Sequence, residues 1–193
     1  MANRKQFLIN GMGVLALALA MGVAAISMSG SAAAHNGKND EARAQLRTAA
    51  GAVVGQVKFE QEENGVSVRV EVQGLTPGFH GFHIHTVGSC VGPDFASAGG
   101  HFNPQGHSHP GHAGDMPVLL INADGSGEVR LTDGLFKVAD LFDADGSAII
   151  IHAGPDNYAN IPARYAPNGP DATTLATGDS GGRVACGTIE HDD

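Results

Sequence analysis

The run Val53-Val54-Gly55-Gln56-Val57-Lys58-Phe59-Glu60-Gln61-Glu62-Glu63-Asn64-Gly65-Val66-Ser67-Val68-Arg69-Val70-Glu71-Val72 decides the fold class. Val53, Val57 and Phe59, then Val66, Val68, Val70 and Val72, recur with the period of a strand that hides one face and wets the other. Between the two runs stands Glu62-Glu63-Asn64-Gly65, and Asn-Gly is a hairpin signal. Downstream, Pro117 to Thr132 reads as a second hairpin, with Val118 to Ile121 meeting Val129 and Leu131 across Ala123-Asp124-Gly125-Ser126-Gly127. Ser147 to His152 is a third strand, an isoleucine block ending in a histidine. Helical periodicity is weak, and 28 glycines with 9 prolines punctuate the chain. Short strands between such turns predict an all-β sandwich or barrel. Gly88 to Met116 and Ala153 to Gly182 are too long to be plain turns, and loops of that length are usually functional or disordered.

Upstream of the first strand the reading changes. His35 to about Ala49 is polar with an Ala/Gln/Arg-rich stretch, expected to be a mobile leader with room for a short helix. Residues 1–34 read as a signal peptide: Arg4 and Lys5, an apolar run from Val14 to Ile26, and small residues at Ala32-Ala33-Ala34, with cleavage near Ala34. The rival is an uncleaved anchor, since Phe7 to Met28 approaches the roughly 20 residues that span a bilayer. The expected organisation is therefore 1–34 signal peptide, 35–49 flexible leader and 50–193 domain. Cleavage would leave nine Lys and Arg against twenty Asp and Glu, taking the formal charge from −9 to −11. Such acidity argues against nucleic acid and anionic membrane as partners. In an exported chain the two cysteines, Cys90 and Cys186, are first read as a disulfide, with two free thiols as the alternative.

Ten histidines among 193 residues carry the chemistry. His83 and His85 in Gly81-Phe82-His83-Ile84-His85 are two apart, so on a strand both rings leave one face. His101 follows Gly99-Gly100, a backbone that bends sharply enough to aim a ring from a loop. His152 ends the third strand. Neutral imidazoles without a thiolate suit copper or zinc, and a tetragonal nitrogen set favours Cu(II). A second group, His107, His109, His112 and Asp115, suits tetrahedral zinc or is a solvated loop. His80 reads as a structural residue held by backbone groups, and Asp143-Ala144-Asp145-Gly146 as a turn.

The segments Gly81-Phe82-His83-Ile84-His85, Ser97-Ala98-Gly99-Gly100-His101-Phe102-Asn103-Pro104, His112-Ala113-Gly114-Asp115, Ile151-His152-Ala153-Gly154 and Gly182-Arg183-Val184-Ala185-Cys186-Gly187 resemble, in order, the motifs of copper-zinc superoxide dismutases. The Asp156-Asn157-Tyr158-Ala159-Asn160-Ile161-Pro162 run is similar to the exported bacterial branch. The resemblance implies a Greek-key β-sandwich or flattened barrel with the metals under two long loops. It places copper on His83, His85, His101 and His152, and zinc on His101, His109, His112 and Asp115. Asp156 resembles the carboxylate that hydrogen-bonds one histidine of each metal, and Cys90 with Cys186 the intrasubunit bridge. The zinc loop is shorter than the family's pattern, which leaves a copper-only site and His107 in place of His109 as alternatives.

The implied activity is dismutation of superoxide anion to oxygen and hydrogen peroxide by a redox-cycling copper. In that scheme His101 takes up and hands on a proton, and Arg183 resembles the arginine that holds the anion beside the metal. The competing class is a non-enzymatic copper-buffering protein. A blue-copper carrier would need a cysteine ligand, and Cys186 is better used in a disulfide. The chain would be exported (secreted, periplasmic or in the envelope), with no stable membrane partner, as a monomer or homodimer.

Overall fold

The computed structural model describes residues 40–192, so the signal-peptide reading of 1–34 lies outside the described residues. Among the described residues there are nine strands: β1 Glu41–Arg47, β2 Val53–Glu62, β3 Gly65–Val72, β4 Gly78–His80, β5 Phe82–His85, β6 Leu119–Ile121, β7 Gly127–Asp133, β8 Ala148–His152 and β9 Arg183–His191. The only α-helix among the described residues is α1, Thr174–Thr177. Seven strands form one antiparallel sheet in the order β5-β8-β9-β1-β2-β3-β7, and β4 pairs with β6. This is the expected all-β Greek-key architecture.

The β2–β3 hairpin forms in the register that its alternation demands, with Val57 opposite Val70 and Phe59 opposite Val68. Glu62 pairs with Gly65, so Glu63 and Asn64 make the turn itself. Val57, Phe59, Val66, Val68, Val70 and Val72 enter the main core with Phe82, Ile84, Ile149 and Ile151. Leu119 and Ile121 of β6 enter the same core, so the short sheet and the long one share one apolar interior.

Two sequence expectations are corrected. The stretch 35–49, expected to be a mobile leader, contains β1, which pairs with β2 on one side and β9 on the other. The burial pattern of Glu41-Ala42-Arg43-Ala44-Gln45-Leu46-Arg47 alternates strictly, with Ala42, Ala44 and Leu46 inward. Alanines are weak strand formers, and here ladders on both sides override that preference. The sheet therefore takes in β1 from Glu41, ahead of residue 50. In the second hairpin, β6 and β7 are joined by the expected turn, with Asn122 N–H donating to Ser126 O at 2.7 Å. They do not pair with each other. β6 goes to β4 and β7 to β3, because the chain changes sheets at this turn.

Strand β8 has two buried faces. Ile149 and Ile151 join the main core, whereas Ala148 and Ile150 pack with Phe95, Ala98, Cys186 and Cys90 under the first long loop. Cys90 and Cys186 form a disulfide that ties that loop to β9. No helix among the described residues is long and apolar enough to cross a membrane.

Candidate metal centre

Strand periodicity places the first ligand candidates. Along β5, Phe82 and Ile84 turn into the core while His83 and His85 leave the other face, opposite Ile150 and Ala148 of β8. His152, at the end of β8, shares that face, and a register shift between Ile151 and His152 locally re-aims it. The first long loop completes the set by pairing with β5. Ile84 N–H donates to Gly114 O at 3.0 Å, Phe102 N–H to Ile84 O at 2.8 Å, and Gly114 N–H to Phe102 O at 2.8 Å. This lays His101 beside His85 and Asp115 beside His83. Gly114 is required there, since a Cβ would collide with the Ile84 carbonyl.

Two groups of donor atoms result: His83, His85, His101 and His152, and His101, His109, His112 and Asp115, each with its donor atoms within 4.8 Å of one another. His101 belongs to both. Its Nδ1 lies 2.7 Å from Asp115 Oδ1, leaving Nε2 for the first group. His83 Nδ1, His85 Nε2, His101 Nε2 and His152 Nε2 are buried and have no hydrogen-bond partner. Buried polar atoms in proteins are almost always paired. Four orphaned nitrogens converging on one point therefore fit a cation, and their other ring nitrogens are fixed by acceptors. His83 Nε2 faces Asp156 Oδ2 at 2.7 Å, His85 Nδ1 the Gly99 carbonyl at 2.9 Å, and His152 Nδ1 the Gly181 carbonyl at 3.1 Å. These acceptors hold each ring in the tautomer that presents a lone pair to the group.

The second group is built from a loop. His109 is buried and its N–H donates to Leu175 O of the second long loop at 2.9 Å. Its Nε2 faces Asp156 Oδ1 at 2.8 Å, while its Nδ1 is 2.9 Å from Asp115 Oδ2 without hydrogen-bond alignment. His112 Nδ1 lies 3.4 Å from His101 Nδ1 and 3.2 Å from Asp115 Oδ1. His107 is exposed, its backbone clasped by the Asn103 side chain, and it stays outside the group. Asp156, on its Asp-Asn turn, spans the two groups with its two oxygens and also accepts the Tyr158 N–H at 2.7 Å.

Electrostatics follow from burial. Desolvation pushes His83 down to about 4, His85 to about 2 and His152 to about 3, so all three are neutral at pH 7, as ligation demands. Burial also pulls His109 down, but its contacts with Asp115 and Asp156 outweigh that and raise it to about 9. Asp115 and Asp156 resist desolvation through the same histidines and are held below the usual carboxylate range.

A cleft of about 500 Å³ opens onto the first group, lined by His85, His101, His152, Thr173, Thr177, Asp179 and Arg183 among others. Arg183 Nη1 and Nη2 donate to the Phe95 and Gly99 carbonyls, both at 2.6 Å, which hold the guanidinium at the cleft. A larger depression, about 610 Å³ beside Arg43, Arg47 and the disulfide, holds none of the donor nitrogens. His80 is buried between the His152 and Thr76 carbonyls at 2.6 and 2.8 Å, the backbone role expected of it.

Sequence reasoning did not single out Tyr158 or Gly178. Tyr158 lies parallel to His109 at 6.5 Å, and its hydroxyl accepts the Val118 N–H. Gly178 caps α1 in the left-handed region, and a Cβ there would collide with Asp156 and His109. The glycine after Ala176-Thr177 was the only available signal.

Residues 53–189 match the copper/zinc superoxide dismutase family. The chain is 46% identical over 162 residues to the superoxide dismutase [Cu-Zn] of Mycolicibacterium paratuberculosis, a match covering 75% of this chain and 71% of that one. It is 45% identical over 157 residues to that of Mycobacterium tuberculosis, covering 72% of this chain and 65% of the relative. In structure it is similar to a SOD-like protein from Bacillus subtilis, with TM-score 0.62 and 36% identity over 75% of this chain and 95% of that one.

Proposed function

The chain belongs to the copper/zinc superoxide dismutase family, and from that premise we propose that His83, His85, His101 and His152 hold copper, and His101, His109, His112 and Asp115 hold zinc, in a centre that dismutes superoxide to oxygen and hydrogen peroxide. The observation that supports this most is the convergence of four buried, partnerless ring nitrogens beside a histidine whose second nitrogen faces a separate three-residue cluster. Copper held by these four histidines would supply one-electron redox chemistry toward superoxide. The rest is done by the protein.

Arg183 supplies the binding charge for the anion. Its carbonyl partners fix the guanidinium, and the remaining N–H groups stay available to a small anion in the cleft. His101 Nε2 is the atom to which we assign proton carriage. It borders the cleft, while Nδ1 faces the second group, which holds the ring from that side whichever state Nε2 is in. Asp156 holds His83 and His109 at fixed angles, so the two metal positions share one support. The Cys90–Cys186 bridge anchors the loop that carries Phe95 and Gly99, hence the seat of Arg183.

We read residues 1–34 as a cleaved signal peptide and the mature chain as exported, which the disulfide supports. We read it as monomer or homodimer, which sedimentation velocity distinguishes. The test of function is copper and zinc content per chain, measured separately, with the superoxide rate of the wild type and of Arg183→Ala. We expect both metals, rapid dismutation, and a loss of at least about tenfold in the variant, corresponding to about 1.4 kcal/mol of transition-state stabilisation. Copper binding without dismutation would replace the enzyme with a copper-buffering protein.

A further inference from the structure

Besides the histidines, the cleft above the first group is lined by only two charged side chains, Arg183 and Asp179. Asp179 is exposed and sits in the left-handed region at φ 55, which Asp and Asn tolerate better than most residues. Its Oδ2 accepts hydrogen bonds from Asn157 Nδ2 at 2.6 Å and Thr174 Oγ1 at 2.9 Å, and its N–H donates to Thr177 Oγ1 at 3.2 Å. All these partners are neutral. Among the described residues Asp179 makes no ion pair. The carboxylate is thus held in place at the cleft without being neutralised.

A concave, partly dry cleft focuses the field of whatever charges line it. With Arg183 and Asp179 both on its wall, the mouth has almost no net charge, and Arg183 alone does not set the field an entering anion feels. The same opening serves a cation, because His85, His101 and His152 line it and all four ring nitrogens of the group, His83 included, are buried. We propose that Asp179 sets the charge of this mouth: it holds back the anionic substrate and draws in the copper cation that must reach the same nitrogens. The inference rests on the assignment of copper to His83, His85, His101 and His152.

The two effects have opposite signs, and that separates them from a structural role. A unit charge about 10 Å away, at an effective dielectric constant between about 40 and 80, alters an encounter by about two- to four-fold. Asp179→Asn keeps the size, the backbone tolerance and an acceptor oxygen, and removes only the charge. Three quantities are measured at low ionic strength: the second-order rate of Cu(II) uptake by metal-free protein, the affinity of the copper-loaded protein for azide as a small monoanion probe, and the superoxide rate by pulse radiolysis. Copper uptake, by a dication whose Coulomb energy is twice that of a monovalent ion, is expected to slow about four- to sixteen-fold, while azide affinity and the superoxide rate rise about two- to four-fold. These differences should vanish near 1 M salt, where the Debye length is about 3 Å. Glu128→Gln on β7, at the other edge of the long sheet, changes net charge equally and is expected to move none of the three. Changes in one common direction, no change, or an equal effect of Glu128→Gln would each overturn the proposal while leaving the copper assignment standing. Failure of the wild type to load copper at the four histidines would overturn the assignment and the proposal with it.

Discussion

Replacing Asp156 by alanine should separate the two metal positions, because its two oxygens serve supports of different stiffness. Oδ2 holds His83, which lies fully buried on β5 between β8 and the first long loop. Oδ1 holds His109, whose own segment is a loop fastened by a backbone hydrogen bond to Leu175 and by the Asn103 clasp on His107 rather than by a ladder. Loss of the carboxylate leaves two buried ring N–H groups without acceptors, at about 1–3 kcal/mol each. The strand cannot move His83 to relieve its share, so that ring keeps its angle and Nδ1 still faces the copper group. The loop can move. His109 is expected to swing toward water, and zinc affinity to fall about 10- to 100-fold, or about 1.4–2.8 kcal/mol, the usual cost of removing a ligand's outer partner. Copper affinity should fall by less than that. Separate competition titrations with chelators of known strength, on protein loaded with one metal at a time, measure both. A larger loss for copper than for zinc, or none for either, would refute the idea that rigidity of the supporting element decides the outcome.

Other consequences follow from charge and connectivity. In metal-free protein His83, His85 and His152 are depressed from 6.5 to about 4, 2 and 3. The unfolded chain therefore takes up three protons below pH 6.5 that the folded chain refuses, and stability should fall with acidification by up to about 4 kcal/mol per pH unit. His109, raised to about 9, works the other way: its contribution is full below 6.5 and is lost as the pH rises through 9. Denaturation midpoints against pH should peak near 6.5, and a plateau down to pH 4 would contradict the burial argument. Since His109 holds a proton at pH 7 in the metal-free protein, zinc uptake should release about one proton, whereas His83, His85 and His152 should release none on copper uptake; calorimetry in buffers of different ionisation enthalpy counts them. Replacing both cysteines of the bridge, 96 residues apart, by serine should cost up to about 4–5 kcal/mol in denaturant titrations, and should also slow dismutation by loosening the seat of Arg183. Unchanged activity at full metal content would separate the bridge from the arginine.

Much of this was legible in order of residues. The valine alternation of β2 and β3 fixes a hairpin because period two has one buried face and no helical equivalent, and the Phe82-His83-Ile84-His85 alternation fixes two rings on one side for the same reason. β1 was not legible, since Glu41-Ala42-Arg43-Ala44-Gln45-Leu46-Arg47 has small inward residues whose local preference is not for strand. Only the ladders to β2 and β9 make it one. The turn between β6 and β7 was legible as a turn, but pairing depends on which neighbour captures each strand. His107 and His109 are the same residue type two positions apart, and no local rule chooses between them. The structure buries His109 through Leu175 and Asp156, partners 66 and 47 positions away in the numbering of the chain.

By itself, then, the sequence determined what depends on composition and short-range period: an all-β chain, histidines on a common strand face, a pair of cysteines to be joined, and a glycine-bent loop to carry His101. Tertiary structure decided what depends on contacts between distant segments. It brought residues 41–47 into the sheet, placed His109 and not His107 in the second cluster, gave Asp156 a histidine on each oxygen, and set Asp179 on the same cleft as Arg183. The physical reason is range: backbone torsions and side-chain alternation are dictated within a few residues, whereas the burial and charge environment of a ring or carboxylate is made by segments that meet only after the sheet has closed.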